Sequence, residues 1–196
     1  MKRYEFEAEQ FELFKPPRGS AIHPVNRKQD SYTVYTDGAC WPNPGAGGWC
    51  ALIFKNGQAL MQLTGCDADT TNNRCEIMAV IEALSALPLK SFVTVYSDSQ
   101  YVVNGANKWV ERWERKSWTI YTKDPVKNVD LWRQIVDLKK ERDCRFIWVR
   151  GHDGDYWNEE CDKIASRCAR LQRTFNRSLF PTPLKSPSRN VQLSHK

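Results

Sequence analysis

No two of the chain's seven cysteines form a Cys-x-x-Cys pair, and their number is odd. That argues against a disulfide framework and against a zinc site as the organising device. It points instead to a reducing, intracellular compartment, cytoplasm or nucleus. No apolar run approaches the ~18 residues of a membrane span. The opening residues, MKRYEFEAEQ, are too acidic and too interrupted for a secretory signal. No 20–50-residue repeat is visible, which removes solenoids and propellers. Acidic residues also run out. None follows Asp162, while Lys163, Arg167, Arg170, Arg173, Arg177, Lys185, Arg189 and Lys196 do. With a net charge of +6, this suits a polyanion partner and no membrane.

What is present is enough for one compact domain with tails: 196 residues, 41% of them hydrophobic. Residues 1–30 mix charge, proline and glycine and read as an N-terminal extension. Residues 31–175 carry the periodic pattern of a domain. Residues 176–196, with Pro181, Pro183, Pro187 and several serines, read as a disordered basic tail. The domain opens on Ser31–Thr36, rich in β-branched and aromatic residues, so a strand, which ends on Asp37-Gly38. Pro42, Pro44, Gly45, Gly47 and Gly48 then mark a loop. Two further strands, Gly48–Phe54 and Gln58–Cys66, flank an Asn56-Gly57 hairpin signal. Thr70-Thr71-Asn72-Asn73 caps a helix that Pro88 stops. Phe92–Ser97 and Arg145–Val149 are strands; Val129–Glu141 and Asn158–Leu171 are amphipathic helices. The order predicts an α/β fold, a mixed five-stranded β-sheet flanked by α-helices.

Four carboxylates sit where solvation does not explain them. Asp37 and Asp98 each end a strand. Glu76 faces the apolar side of its helix, and Asp162 borders the apolar side of the last. Buried acids repel unless protonated or bridged by a cation. An all-oxygen set favours Mg²⁺, with Mn²⁺ as a substitute. Two such ions ~3.5–4 Å apart can activate water against a phosphodiester. His152, on the glycine-flanked loop Gly151–Gly154, is suited to shuttling protons. Lys108, Arg112, Arg115 and Lys116 recur at helical spacing beside Trp109, Trp113 and Trp118. Packing explains such tryptophans as well as nucleic-acid stacking does.

The segments YTDG…NPG, TTNNRCE, SDSQY, PVKNVDLW and WVRGH…NEECD resemble ribonuclease H of type 1, in order and spacing, from about Tyr32 to Leu171. The resemblance implies the ribonuclease H-like fold and an endonuclease that cuts the RNA strand of RNA/DNA hybrids, leaving 5′-phosphate and 3′-hydroxyl ends. It implies that Asp37, Glu76, Asp98 and Asp162 hold two metal ions and that His152 assists proton transfer or product release. Asn43, Asn72 and Gln100 match minor-groove contacts to RNA 2′-hydroxyls; an amide can meet both faces of that group. Thr71 and Asn128 match a pocket for a DNA phosphate, with Lys127 beside it. Trp109 matches the wall of the DNA channel, with Lys108, Arg112, Arg115 and Lys116 as a basic handle around it. The protein is expected to act as a monomer. One departure stands out: many relatives carry arginine two residues before the matched Thr71, where this chain has Asp69. Other two-metal nucleases are the rival within the fold. A catalytically silent hybrid-binding protein is the rival outside it, and would be expected to have lost one or more of the acids.

Overall fold

The computed structural model describes residues 2–7 and 31–179. A single mixed sheet organises them. Strands β1 (Lys2–Glu7), β2 (Ser31–Cys40), β3 (Gly45–Lys55), β4 (Gln58–Thr70), β5 (Phe92–Ser97) and β6 (Asp143–Trp148) lie in the order β1-β4-β3-β2-β5-β6. The first four pair antiparallel; β2, β5 and β6 run parallel. Strands β2 to β6 are the five expected from the sequence. Strand β1, from within the N-terminal extension, adds a sixth at the edge of β4.

The alternation along β3 shows why the sheet is covered on both faces. Trp49, Ala51 and Ile53 point one way, into a large core with Val34, Val80, Leu84 and Trp132. Cys50, Leu52 and Phe54 point the other way, into a smaller core with Tyr35, Tyr96, Trp157, Cys161 and Ala165. Helices α1 (Asn72–Ala86) and α4 (Val129–Lys140) cover the first face, and α5 (Tyr156–Leu179) covers the second. Residues Ile77, Val80 and Leu84 of α1 are completely buried. Each such side chain contributes about 1.5–3 kcal/mol, so α1 is fixed firmly against β2.

Several boundaries differ from the sequence reading. Strand β2 does not stop at Thr36. It runs on to Cys40, and Asp37 sits within the ladder opposite Cys50. The reversal falls later, at the Pro-Asn-Pro loop, where the Trp41 N–H donates to the Ala46 carbonyl at 3.0 Å. Strand β4 extends past Cys66 to Thr70. Helix α5 begins at Tyr156 and reaches Leu179, so residues 176–179, read as tail, are helical. Residues 180–196 lie outside the described residues. The basic segment is not one continuous helix either. It comprises α2 (Gln100–Asn104), a π-helical turn Gly105–Trp109, and α3 (Val110–Arg115). A π turn inserts one extra residue, so the cations do not keep the simple i, i+4, i+7 register; all four are nevertheless exposed.

Candidate active site

Parallel register brings two of the acids level. Strands β2 and β5 pair through Tyr35 and Tyr96. Asp37 and Asp98 each lie two residues beyond that pair, on the same side of their strands. Glu76 arrives from α1, and Gly38 permits the approach. A Cβ on Gly38 would lie 2.4 Å from the Glu76 backbone nitrogen and 2.7 Å from the Cys75 carbonyl carbon. The glycine after Asp37 is therefore a packing requirement: it lets strand and helix touch at the acids.

The result is a compact triad. One carboxylate oxygen from each of Asp37, Glu76 and Asp98 lies within 4.8 Å of the others. Asp37 and Glu76 are each only 5% exposed. Desolvation, then the Asp98 charge, raise the Asp37 carboxyl to about 8, against a partly offsetting hydrogen bond from the Gly38 N–H (2.7 Å). Burial, then Asp37 and Asp98, raise Glu76 well above the carboxylate range. Glu76 Oε1 accepts from the Asn72 amide at 3.4 Å, while its Oε2 is buried without a hydrogen-bond partner. An orphaned carboxylate oxygen beside two other acids matches the donor set of a hard divalent cation.

Asp162 is not within this close triad. It lies near enough for its charge to raise both Asp37 and Glu76, and its Oδ1 accepts from Ser166 Oγ at 3.3 Å. His152 is exposed, at φ 54°. Its imidazole is not hydrogen-bonded to the triad, although its neighbour is in contact with it: a Cβ on Gly151 would lie 2.6 Å from Asp98 Oδ2. Of the acids around the loop, Asp155 is committed to capping α5. It accepts from the backbone N–H of Trp157 (3.1 Å) and Asn158 (3.2 Å).

Two positions around the triad were not singled out from sequence. Asn158 is buried (1% exposed) and donates from Nδ2 to Asp98 Oδ2 at 3.3 Å. Its signal was an amide one helical turn before Asp162 on the buried side of α5. Trp148 Nε1 donates to the Asp98 carbonyl at 2.9 Å, holding the strand end.

The remaining predicted residues fall into two groups. Asn43 and Asn72 meet: the Asn72 N–H donates to Asn43 Oδ1 at 3.2 Å. Gln100 stands exposed at the start of α2, behind the cap Ser99. Thr71 and Asn128 are linked through Arg74, a third position sequence reasoning passed over. The Arg74 N–H donates to Thr71 Oγ1 (3.4 Å), and its guanidinium reaches Asn128 Oδ1 (3.5 Å) and both Asp130 oxygens (3.0 and 2.7 Å). That pairing raises Arg74 and lowers Asp130. Asn128 caps α4 at φ 57°, its amide donating to the Tyr101 hydroxyl at 3.4 Å. Tyr101 in turn donates to the carbonyl of the exposed Lys127. Trp109 is half-buried between Tyr101 and Trp113, with ring centroids 6.1 and 5.7 Å away. Around it Lys108, Arg112, Arg115 and Lys116 face solvent. Asp69 is exposed at the end of β4, beside Asp67, whose charge reaches Arg74.

Known proteins resemble this chain. The family described as RNase H matches residues 29–170. A protein named Ribonuclease H from Novosphingobium aromaticivorans is 46% identical over 136 residues, covering 69% of this chain and 94% of that one. The crystal structure of "LC9-RNase H1, a type 1 RNase H with the type 2 active-site motif" superposes with a TM-score of 0.66 at 27% identity, covering 76% of each chain. "LC11-RNase H1 in complex with RNA/DNA hybrid" shares the fold at a TM-score of 0.53 and 22% identity, over 71% of this chain and 97% of that one.

Proposed function

We infer the reaction from one premise: the chain belongs to the ribonuclease H family. It is an endoribonuclease that hydrolyses the RNA strand of RNA/DNA hybrids, and it depends on divalent metal. Its finer chemistry, and the role of each residue, are our reading of the geometry. The observation that carries it is the convergence of Asp37, Glu76 and Asp98, with the buried Glu76 Oε2 left without a partner.

These three carboxylates would hold Mg²⁺, as a pair of ions, with Asp162 as the fourth ligand or a further negative charge at the rim. When bound, the metal supplies Lewis-acid activation of a water and neutralises charge developing at the phosphodiester. The chain's own residues do the rest. The Gly38 N–H and the Asn158 amide hold the Asp37 and Asp98 carboxylates in place. His152, exposed on a loop that rests on Asp98 through Gly151, can approach the leaving 3′-oxygen and pass it a proton.

Selectivity comes from what surrounds the triad. Asn72 touches Glu76 and Asn43 touches Asn72; with Gln100, two residues after Asp98, they would offer amides to consecutive RNA 2′-hydroxyls. Thr71 and Asn128, joined by Arg74, would take a phosphate of the DNA strand. Trp109 supplies an apolar wall for the deoxyribose strand. Lys108, Arg112, Arg115, Lys116 and Lys127 add affinity indifferent to sequence. The test is labelled RNA/DNA hybrid, double-stranded RNA and DNA with a single embedded ribonucleotide, incubated side by side with and without Mg²⁺. Only the hybrid should be cut, at internal RNA positions and only with Mg²⁺. Equal cutting of double-stranded RNA would contradict the 2′-hydroxyl reading, and cutting in chelator would contradict the metal reading.

A further inference from the structure

Helix α5 carries Asp162 near the triad and then continues for seventeen residues, to Leu179, without another acid. At about 100° per residue, Ser166 lies about 40° around the helix from Asp162, and Arg170 about 80°. Arg173 returns to within about 20° of Asp162 after three turns. Arg167, by the same count, lies about 140° away, on the far side. Lys163 is tied to Glu160 at 2.6 Å. Arg170 is exposed and Arg173 half-buried, and neither forms an ion pair with a described residue. The end of α5 is held still: Cys66 Sγ donates to Gln172 Oε1 at 3.0 Å, and the Asn176 amide to the Ala68 carbonyl at 3.1 Å. Both contacts are to β4, whose end bears Asp67 and Asp69.

We propose that Arg170 and Arg173 form a second phosphate-binding stripe, which grips the nucleic-acid strand that crosses α5 on leaving the catalytic acids. This rests on the reading of the triad as the hybrid-cleaving site. Arg173 stands about 16 Å along the helix from Asp162, at ~1.5 Å per residue. At ~3.4 Å per nucleotide, that is about five nucleotides from the cut. Guanidinium groups on a rigid helix suit phosphate oxygens, which they meet in bidentate fashion. The stripe also answers the departure at Asp69. Where the end of β4 presents two carboxylates near the Thr71–Asn128 pocket, cations placed on the neighbouring helix restore attraction for the polyanion.

The experiment measures kcat and KM for hybrid cleavage in Mg²⁺ across a series of KCl concentrations. The proteins are wild type, Arg170→Gln/Arg173→Gln, Arg170→Lys/Arg173→Lys and the single variant Arg167→Gln. The double glutamine variant should raise KM several-fold with kcat unchanged. Its dependence of log(1/KM) on log[salt] should be shallower by about two, close to one per lost phosphate contact. The lysine pair should restore most of the slope, and Arg167→Gln should match wild type. With hybrids trimmed to fewer than about five base pairs beyond the cut on one side, the wild-type advantage should vanish; trimming the other side should leave it. Circular dichroism and melting curves identify any variant that has not folded; Arg170→Gln alone, at an exposed position, then carries the test, with a salt slope shallower by about one. Wild-type cleavage with an unchanged salt slope in the glutamine pair, or an equal loss in Arg167→Gln, would overturn the stripe, including in favour of a protein-binding role for these arginines. Failure of wild type to cleave hybrid at all would instead overturn the nuclease reading beneath it.

Discussion

Replacing Asp37 with asparagine should remove activity and yet stabilise the metal-free protein. In that state Asp37 titrates at about 8 rather than at its ordinary 3.8, chiefly because it is buried and faces Asp98. A carboxyl whose pKa rises on folding contributes stability that is complete below its unfolded pKa. That stability is lost as pH climbs through the folded value. Metal-free wild type should therefore weaken between about pH 4 and pH 8. At pH 7 the group lies about three units above its unfolded pKa, and at ~1.4 kcal/mol per unit this sets a ceiling of about 4 kcal/mol. Glu76 shares the strain, so about 2–4 kcal/mol is expected for Asp37→Asn, or roughly 5–12 °C in melting temperature for a chain of this size. Asparagine keeps the oxygen that accepts from the Gly38 N–H, so packing should survive. The assay is thermal and denaturant unfolding in chelator from pH 4 to 9. The variant should melt higher than wild type at pH 7 and show a flatter pH profile. Excess Mg²⁺ should narrow the gap, since only wild type gains metal-binding energy. A variant less stable than wild type at pH 7 in chelator, with the same pH slope, would refute this electrostatic account.

Gly38→Ala should be far more damaging than its size suggests. Its Cβ would meet the Glu76 and Cys75 backbone below 3 Å; we expect a loss of about 2–4 kcal/mol, read by denaturant unfolding, and loss of cleavage even where folding survives. Asn158→Ala should lower kcat at least tenfold with little change in KM, because the lost 3.3 Å contact orients Asp98 rather than the hybrid; a change confined to KM would contradict that role. Asp69→Arg should lower KM on hybrid at moderate salt by placing a cation beside Thr71 and Asn128, and steady-state kinetics showing no change would remove Asp69 from the phosphate pocket.

Much of this site was legible before the fold was known, for physical reasons that can be named. Asp37, Glu76 and Asp98 announced themselves because each is a charge in an apolar context, and chains rarely place acids there without a partner. The mixed sheet followed from short β-branched and aromatic runs, a strong Asn-Gly hairpin signal and the order of strands and helices. Other features were hidden because they depend on contacts between segments. That Asp37 lies within a strand, three residues before its end, follows from pairing with Cys50 on β3. The π turn at Gly105–Trp109 leaves no mark in helical periodicity, so helical spacing alone gives the basic face too regular a register. Asn158 and Arg74 were passed over because an amide and a guanidinium on helices are ordinary until a second segment gives them a role: Asp98 for one, Thr71 and Asn128 for the other. Asp162 was legible as an inward-facing acid, but its distance from the triad was not.

Asp37, Glu76 and Asp98 are expected to share a divalent cation. Calorimetric titration of the nucleic-acid-free protein with Mg²⁺, and with Mn²⁺ as a tighter probe, addresses it directly. Wild type should give a saturable heat that Glu76→Gln abolishes or weakens at least tenfold. Equal binding by both proteins would place the metal elsewhere and contradict the account.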